Sequence, residues 1–336
     1  MKISYAPALD CASTGFLRCV PVAFIAAVTL MVTPLAGAAD HATAANATTA
    51  KARPAAAQNT YASPEDAAKA LADAMRTDDR KLVWRVLGPG ASKFLRSGDP
   101  VQDNDAREAF IAAYDKSAKF ERTGDTKATL LIGPGDFPFP YPLVAKNGRW
   151  QFDARQGNEQ VLDRRIGRNE LSAIKVCLAY VDAQREFVTR NRDGNGLLEY
   201  AQKFHSTPGQ QDGLVWDTKA TEAPSPLGPL AANARSQGYA ASGAGNPYHG
   251  YYYKILTGQG TDAPGGAYDY IVNGKMIGGF ALIAYPARWG ASGVMSFICN
   301  HDGVVFEKNL GRDSSMIATK MTVYNPDATW EKSRDQ

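Results

Sequence analysis

Cysteine and histidine are scarce in this chain of 336 residues, which contains four of each. No pair of cysteines has the C-x-x-C spacing, which excludes a thioredoxin-type redox motif. There is no H-E-x-x-H sequence, and no glycine-rich G-x-x-x-x-G-K loop follows a strand pattern. Ser292 lies in the sequence Gly-Ala-Ser-Gly at 290–293, which lacks the G-x-S-x-G spacing of a hydrolase nucleophile elbow. The common sequence motifs of redox, zinc-protease, nucleotide-binding and serine-hydrolase sites are therefore missing.

The chain also has no strong excess of charge of either sign. The chain has 37 lysines and arginines against 34 aspartates and glutamates, a net charge of +3, and the two signs are interspersed. Without a basic stripe there is no electrostatic footprint for nucleic-acid binding. Nor does the chain carry an acidic tail.

The N-terminal segment has the pattern of an export signal. Basic residues precede an apolar run at 20–35, and the small residues Ala-Gly-Ala follow at 36–38. This order predicts a cleaved secretory signal peptide over residues 1–39, followed by a flexible linker at 40–61. An uncleaved anchor is the alternative, although the run is short for a membrane span and contains two prolines. We expect a periplasmic or extracellular protein with no membrane span after cleavage.

Two cysteines, Cys177 and Cys299, remain after removal of the signal. Cys177 lies on the apolar face of a predicted helix and Cys299 in a predicted strand. In an oxidising compartment such a pair forms a disulfide if the geometry permits. The alternative is two buried thiols.

Residues 62–156 are predicted to form a first domain of the α+β class. Ser63-Pro64 has the pattern of a helix start, and further helices are expected at 79–87 and 104–116. Strands follow, ending in a hairpin with Asn147-Gly148 at its turn. Helices before a curved antiparallel sheet resemble small cystatin-like domains, a likeness of fold that assigns no function.

A second α+β domain is predicted over residues 157–336. After a helical approach at 157–167, residues 169–190 have apolar side chains around most of a helix, which is typical of a central helix packed on a sheet. We expect a polar loop, a short second helix up to residue 204, a long loop at 209–237 and then consecutive antiparallel strands.

This second half resembles the globular part of type IV pilins and pseudopilins. The likeness lies in Asn-Glu-Leu-Ser-Ala-Ile at 169–174, in the strand sequences at 279–286 and in residues 297–305. It implies a long helix packed on an antiparallel sheet. The apolar N-terminal half of a pilin helix is missing, because a whole domain separates the export segment from residue 169.

Nearly the whole mature chain also resembles an exported bacterial family, domain of unknown function 2950. The strings that carry this likeness include Ile-Gly-Arg-Asn-Glu-Leu at 166–171, Pro-Tyr-His-Gly-Tyr at 247–251 and Asn-Gly-Lys-Met-Ile-Gly-Gly at 273–279. The resemblance implies export and supplies no catalytic residues.

The polar loop after the long helix is a candidate calcium site. Oxygen ligands at alternate positions of a helix–loop–helix converge on a hard cation; the ligands here would be Asn191, Asp193, Asn195, Leu197 and Glu199. Gln202 stands where a calcium loop has its bidentate glutamate. The expectation is weak Ca²⁺ binding or no cofactor, and a plain turn is the alternative.

A tyrosine-rich surface is the second candidate site, because tyrosine offers rigid contact area to a partner. Its residues are Tyr248, His249, Tyr251, Tyr268 and Tyr270. We therefore expect an exported, non-enzymatic interaction or structural protein whose partner is an envelope protein or a glycan. The alternative is a cell-envelope hydrolase that uses His249 or His301 with a nearby carboxylate, Asp269 or Asp302.

Overall fold

The computed structural model describes residues 57–190, 194, 196–219, 221–239 and 246–335. Within them the chain forms seven α-helices: α1 (Pro64–Arg76), α2 (Arg80–Leu87), α3 (Ser92–Leu95), α4 (Pro100–Lys116), α5 (Ala154–Phe187), α6 (Gly228–Ser236) and α7 (Ser314–Lys320). The described strands of the first half are β1 (Ala118–Thr123), β2 (Lys127–Ile132), β3 (Phe137–Pro138), β4 (Leu143–Lys146) and β5 (Arg149–Phe152). Those of the second half are β6 (Tyr251–Leu256), β7 (Gly258–Gln259), β8 (Tyr268–Asp269), β9 (Ile271–Val272), β10 (Lys275–Met276), β11 (Ala281–Pro286), β12 (Ser296–Asn300), β13 (Val305–Lys308), β14 (Val323–Tyr324) and β15 (Glu331–Lys332). Helices and mostly antiparallel sheets confirm the predicted α+β class.

Short polar side chains start the longer helices. The Ser63 hydroxyl accepts a hydrogen bond from the backbone N–H of Asp66, and Asp79 caps α2 by accepting from Lys81 N at 2.8 Å. Asp99 caps α4, which therefore begins four residues before the predicted start at residue 104. These caps accept hydrogen bonds from backbone N–H groups that have no partner inside the helix.

The first core lies between helices α1, α2 and α4 and an antiparallel sheet with strand order β1-β2-β4-β5. Leu71, Leu130 and Phe152 are fully buried in it. The predicted hairpin is present: Asn147 and Gly148 both have positive φ, 52° and 72°, at the turn between β4 and β5. This backbone twist matches that of paired strands, which is why Asn-Gly turns favour hairpins.

The second core lies between α5 and an antiparallel sheet with strand order β15-β13-β12-β11-β6. Cys177, Tyr180 and Val181 of α5 are buried in this core, and α5 packs on β11 and β12. All six residues of β11 are buried, because α7 also packs against that strand. The central strands β11 and β12 are consequently buried on both faces.

Helix α5 is one continuous helix of 34 residues, about 50 Å long at 1.5 Å per residue. The sequence pattern predicts a helical approach at 157–167 that is separate from the central helix. In the structure Val161 belongs to the first core and Ile174 to the second, so both halves are stabilised by packing. The predicted domain boundary at residues 156 and 157 falls in the first turn of this shared helix. No described helix is both long and apolar enough to cross a membrane.

Two local predictions are wrong. Residues 197–204 form no helix. The buried Gln184 side chain instead bonds both backbone groups of Ala201, at 2.7 and 2.8 Å, and so satisfies them outside a helix. Within the predicted loop at 209–237, residues Gly228–Ser236 form α6, which has Pro229 in its first turn. Proline at that position favours a helix start, so the sequence did contain the signal.

Candidate functional site

A buried polar seam, defined here as Asp99, Gln102, Asn169, Gly250 and Ser292, joins the two cores. The Asp99 carboxylate is fully buried, and its Oδ1 accepts from Gln102 N at 3.1 Å. Its Oδ2 accepts from the Tyr239 hydroxyl at 2.8 Å and from Gly250 N at 3.0 Å. One carboxylate at the start of α4 thus holds two segments that lie 140 and 151 residues further along the chain.

Asn169 of α5 forms the other half of the seam. Its Nδ2 donates to the Ser292 carbonyl at 2.9 Å, and its Oδ1 accepts from Gln102 Nε2 at 2.8 Å. Gly250 has a φ of 75°, and a Cβ at that position would lie 2.5 Å from Asn169 Nδ2. Glycine is required here because a side chain would displace the amide. Residues 166–171 and 247–251, two of the strings on which the family resemblance rests, therefore meet at this seam.

A cleft with a volume of about 330 Å³ opens beside the seam. The charged side chains that line it are Arg80, Arg96, Arg107 and Arg288, with Asp78 and Asp103. We call this the arginine cleft. The cleft lies between residues 75–107 and the loop after β11. Arg288, in that loop, therefore lies close to residues that are far from it in sequence.

Two of these arginines are held by backbone carbonyls. Arg107 donates from Nη1 to Met75 O at 3.2 Å, and its side chain is 24% exposed. Arg288 donates from Nη1 to Arg96 O, also at 3.2 Å. Arg80 and Arg96 are exposed, and their guanidinium groups make no hydrogen bond or ion pair to any described residue. The cleft therefore combines two fixed cations with two that are available to a ligand.

Asp103 contributes a negative charge at the inner wall of the cleft. Burial raises the pKa of its carboxyl, while two hydrogen bonds from Ser97 N, at 2.9 and 3.1 Å, oppose this shift. Behind it, burial lowers the pKa of the Arg165 guanidinium, and the charge of Asp103 opposes that shift. The four lining arginines outnumber Asp78 and Asp103, so the cleft is positive.

A family model described as "Protein of unknown function (DUF2950)" matches residues 58–333. The chain belongs to this family. The matched range contains the seam and the arginine cleft, and the family's description assigns no activity to either. No curated protein and no solved structure matches the chain. The cystatin-like and pilin-like likenesses accordingly stay predictions.

The tyrosine set predicted as a binding surface does not form one surface in this DUF2950 member. Tyr251 and Tyr270 are fully buried, and their hydroxyls donate to Met295 O at 2.8 Å and Gln259 Oε1 at 3.0 Å. Their rings belong to the second core because β6 and the segment before β9 face inward. Tyr268 is exposed and packs against Tyr270, whereas Tyr248 and His249 pack against Tyr239 beside the seam.

The candidate calcium ligands lie mostly outside the described residues, since Asn191, Asp193 and Asn195 are among those not described. Glu199 is described, and its Oε1 accepts from Lys275 Nζ at 2.7 Å. A calcium ion bound through this oxygen would compete with the lysine. No cluster of three histidine, cysteine or acidic side chains suited to a metal occurs within the described part of the chain. Calcium binding stays a prediction.

The two cysteines are neighbours in the second core. Both are buried free thiols, and Cys299 Sγ donates to the Cys177 carbonyl at 3.7 Å. Burial, followed by the contact with Cys177, raises the pKa of the Cys299 thiol well above its usual value. The expected contact between helix and strand is present, and the disulfide stays a prediction.

The histidines of the hydrolase alternative lie in separate surroundings. His301 Nε2 is 3.9 Å from Asp302 Oδ1, and its buried Nδ1 has no hydrogen-bond partner among the described residues. Burial lowers the pKa of His249 and of His205. The Ser292 hydroxyl is held by the backbone of Arg288, accepting from its N–H at 2.9 Å and donating to its carbonyl at 3.2 Å.

Sequence analysis missed both the seam and the cleft. Asp99-Pro100, with Asp103 following, is a helix-start pattern that was present in the sequence. Nothing in the sequence links Arg96 to Arg288, which lie 192 residues apart and meet only in the folded chain.

Proposed function

We propose that this protein is an exported binding protein that holds a ligand in the arginine cleft without converting it. The single observation that carries the proposal is the cleft itself, about 330 Å³ in volume and lined by four arginines. Export is supported by the signal-like pattern in residues 1–39, which lie outside the described residues.

The cleft has the size and the mixed walls of a small-molecule site. Such sites typically have volumes of roughly 300–1,000 Å³ and combine apolar walls with a few polar groups. Here the apolar walls come from Met75, Leu95, Pro100 and Ala106, next to the arginines. The seam supports this arrangement, because Asp99 caps the helix that carries Ala106 and Arg107.

A filled cleft tests the proposal. Ala106 is exposed on α4 and lines the cleft, so Ala106→Trp places an indole inside it. Ala112 is exposed on the same helix and does not line the cleft, so Ala112→Trp is the matched control with the same cost in helix propensity.

The measurement is equilibrium dialysis of the purified mature protein against an extract of the cell envelope, followed by mass spectrometry. We expect a small molecule that is retained by the wild type and by Ala112→Trp and is lost from Ala106→Trp. Retention of nothing, or equal retention by both variants, would contradict the binding function.

The hydrolase alternative rests on the 3.9 Å approach of His301 to Asp302. Triple substitution of His205, His249 and His301 by glutamine separates the two functions. Ligand retention that survives the substitution supports binding alone. Release of a chemically altered ligand by the wild type, but not by the folded triple variant, would favour the hydrolase.

A further inference from the structure

We infer that the ligand of the arginine cleft is a phosphomonoester, that is, a terminal phosphate group on an apolar or neutral body. This inference rests on the proposed binding function and names its ligand class. Three observations carry it: the net charge of the cleft, the hydrogen-bond partners of its arginines and its apolar wall.

The charge of the cleft matches a dianion. Its four arginines exceed its two aspartates by two positive charges. A phosphomonoester carries a charge of about −1.5 to −2 at pH 7, because its second pKa is about 6. A carboxylate, a sulfate ester or a phosphodiester carries only one negative charge and would leave the cleft positive.

Arginine suits a phosphate in its donor chemistry as well. Guanidinium groups offer paired N–H donors that bind two oxygens of one phosphate at once. Arg288 is positioned in advance by Arg96 O, and Arg107 by Met75 O and Asn104 Oδ1. Arg107 also lies 3.9 Å from Asp78 Oδ1 and 3.6 Å from Glu108 Oε1, so a phosphate would share it with these carboxylates. Arg80 and Arg96 have no partner among the described residues that a ligand would need to displace. A phosphate in the cleft would therefore gain the donors of Arg80 and Arg96 without displacing a described partner.

The body of the ligand would contact Leu95, Pro100 and Ala106, which form the apolar side of the cleft. A phosphate on such a body has two sources in a cell envelope. One is the headgroup of a phosphomonoester lipid, and the other is a soluble organic phosphate. The chemistry that the cleft would recognise is the same in both.

Titration calorimetry with phenyl phosphate tests the inference on the mature protein. We expect binding to the wild type and a loss of affinity of about tenfold or more in Arg80→Gln/Arg96→Gln, because hydrogen bonds to charged groups are lost. The double variant Arg80→Lys/Arg96→Lys keeps the positive charges, and we expect it to lose less affinity for phenyl phosphate than the glutamine variant. Arg155→Gln/Arg312→Gln removes two exposed arginines that do not line the cleft and serves as the control, with affinity unchanged within about twofold.

Two further anions test the phosphate assignment. Phenyl sulfate has the same shape with one negative charge, and phthalate is a dianion built from carboxylates. We expect both to bind at least about tenfold more weakly than phenyl phosphate. Equal affinity for either, no binding of phenyl phosphate, or binding that is insensitive to the Arg80/Arg96 pair would overturn the inference.

Vesicles separate the two sources. Sedimentation with phosphatidylcholine vesicles that contain phosphatidic acid, and not with those that contain phosphatidylglycerol, would assign the lipid headgroup. Binding of phenyl phosphate without sedimentation would assign a soluble phosphate, and both outcomes support the class. An envelope ligand that is displaced by Ala106→Trp but contains no phosphate would overturn the class and leave the binding function intact.

Discussion

The Tyr239 hydroxyl donates a hydrogen bond of 2.8 Å to Asp99 Oδ2, although the two residues are 140 positions apart. Burial, followed by the charge of Asp99, raises the pKa of the Tyr239 hydroxyl, which therefore stays protonated and keeps donating. Gly250 N donates to the same oxygen at 3.0 Å. Hydrogen bonds to a charged acceptor typically contribute about 1.5–3 kcal/mol each, so this carboxylate is a main link between the two halves of the chain.

Asp99→Asn is expected to lower the free energy of unfolding by roughly 2–4 kcal/mol. The asparagine side chain carries no charge. Its NH₂ group would also face Tyr239 and Gly250, which both donate hydrogen bonds to this position in the wild type. Urea unfolding followed by circular dichroism measures the change. Asp105→Asn, an exposed position on the same helix, is the control and should stay within about 0.5 kcal/mol of the wild type. Equal stability of the two variants would show that the seam contributes little.

Two glycines of α5 are expected to respond in opposite directions to the same substitution. A Cβ at Gly157 would lie 2.0 Å from the ring of Tyr141, whereas nothing lies within 4 Å of a Cβ at Gly167. Gly157→Ala should therefore destabilise by about 1–3 kcal/mol through overpacking. Gly167→Ala should stabilise by about 0.5–1 kcal/mol, because alanine is the better helix former. Thermal unfolding of both variants checks this, and a stabilised Gly157→Ala would contradict the packing.

His249 should make stability fall in mildly acidic solution. Burial lowers the pKa of its imidazole; the charge of Asp99 opposes that shift and Arg168 adds to it. The unfolded value is about 6.5, so below that pH the unfolded chain takes up the proton first. This contribution to stability is thus complete above about pH 6.5 and is lost as the pH falls toward the folded pKa.

His249→Asn isolates this effect, because asparagine tolerates the φ of 48° found at residue 249. We expect urea midpoints to fall less between neutral and mildly acidic pH in the variant than in the wild type. His205, whose pKa burial also lowers, should account for part of the remaining slope. An identical slope in the wild type and the variant would exclude a role for His249.

The thiols should be unreactive in the folded protein. Both are buried, and the raised pKa of Cys299 leaves little thiolate at neutral pH. In the reduced protein we expect alkylation to proceed only as fast as the protein unfolds, which kinetics in increasing urea would show. Denaturation without reductant then tests the predicted disulfide. No labelled thiol in the mature protein supports the bridge between Cys177 and Cys299, and two labelled thiols would contradict it.

Local patterns predicted much of the fold. The Ser63-Pro64 helix start, the Asn147-Gly148 hairpin and the strands from Tyr251 to Lys308 follow from caps, turns and apolar runs that act within a few residues. The start of α4 and helix α6 were missed although Asp99-Pro100 and Pro229 are local signals, whereas the predicted helix up to residue 204 failed beside a distant side chain. Residues 197–204 form no helix, and Gln184 bonds the backbone of Ala201, a partner that no local propensity reveals.

By itself the sequence determined the α+β class, the helix start at Ser63-Pro64 and the turn at Asn147-Gly148. The export signal at residues 1–39 stays a prediction. The tertiary structure alone decided that α5 is shared by two cores, that Asp99 holds Tyr239 and Gly250, and that Arg288 joins Arg96 in one cleft. The physical reason is the range of the interactions. Caps and turns depend on neighbours along the chain, whereas the seam and the cleft depend on contacts between residues that only packing brings together.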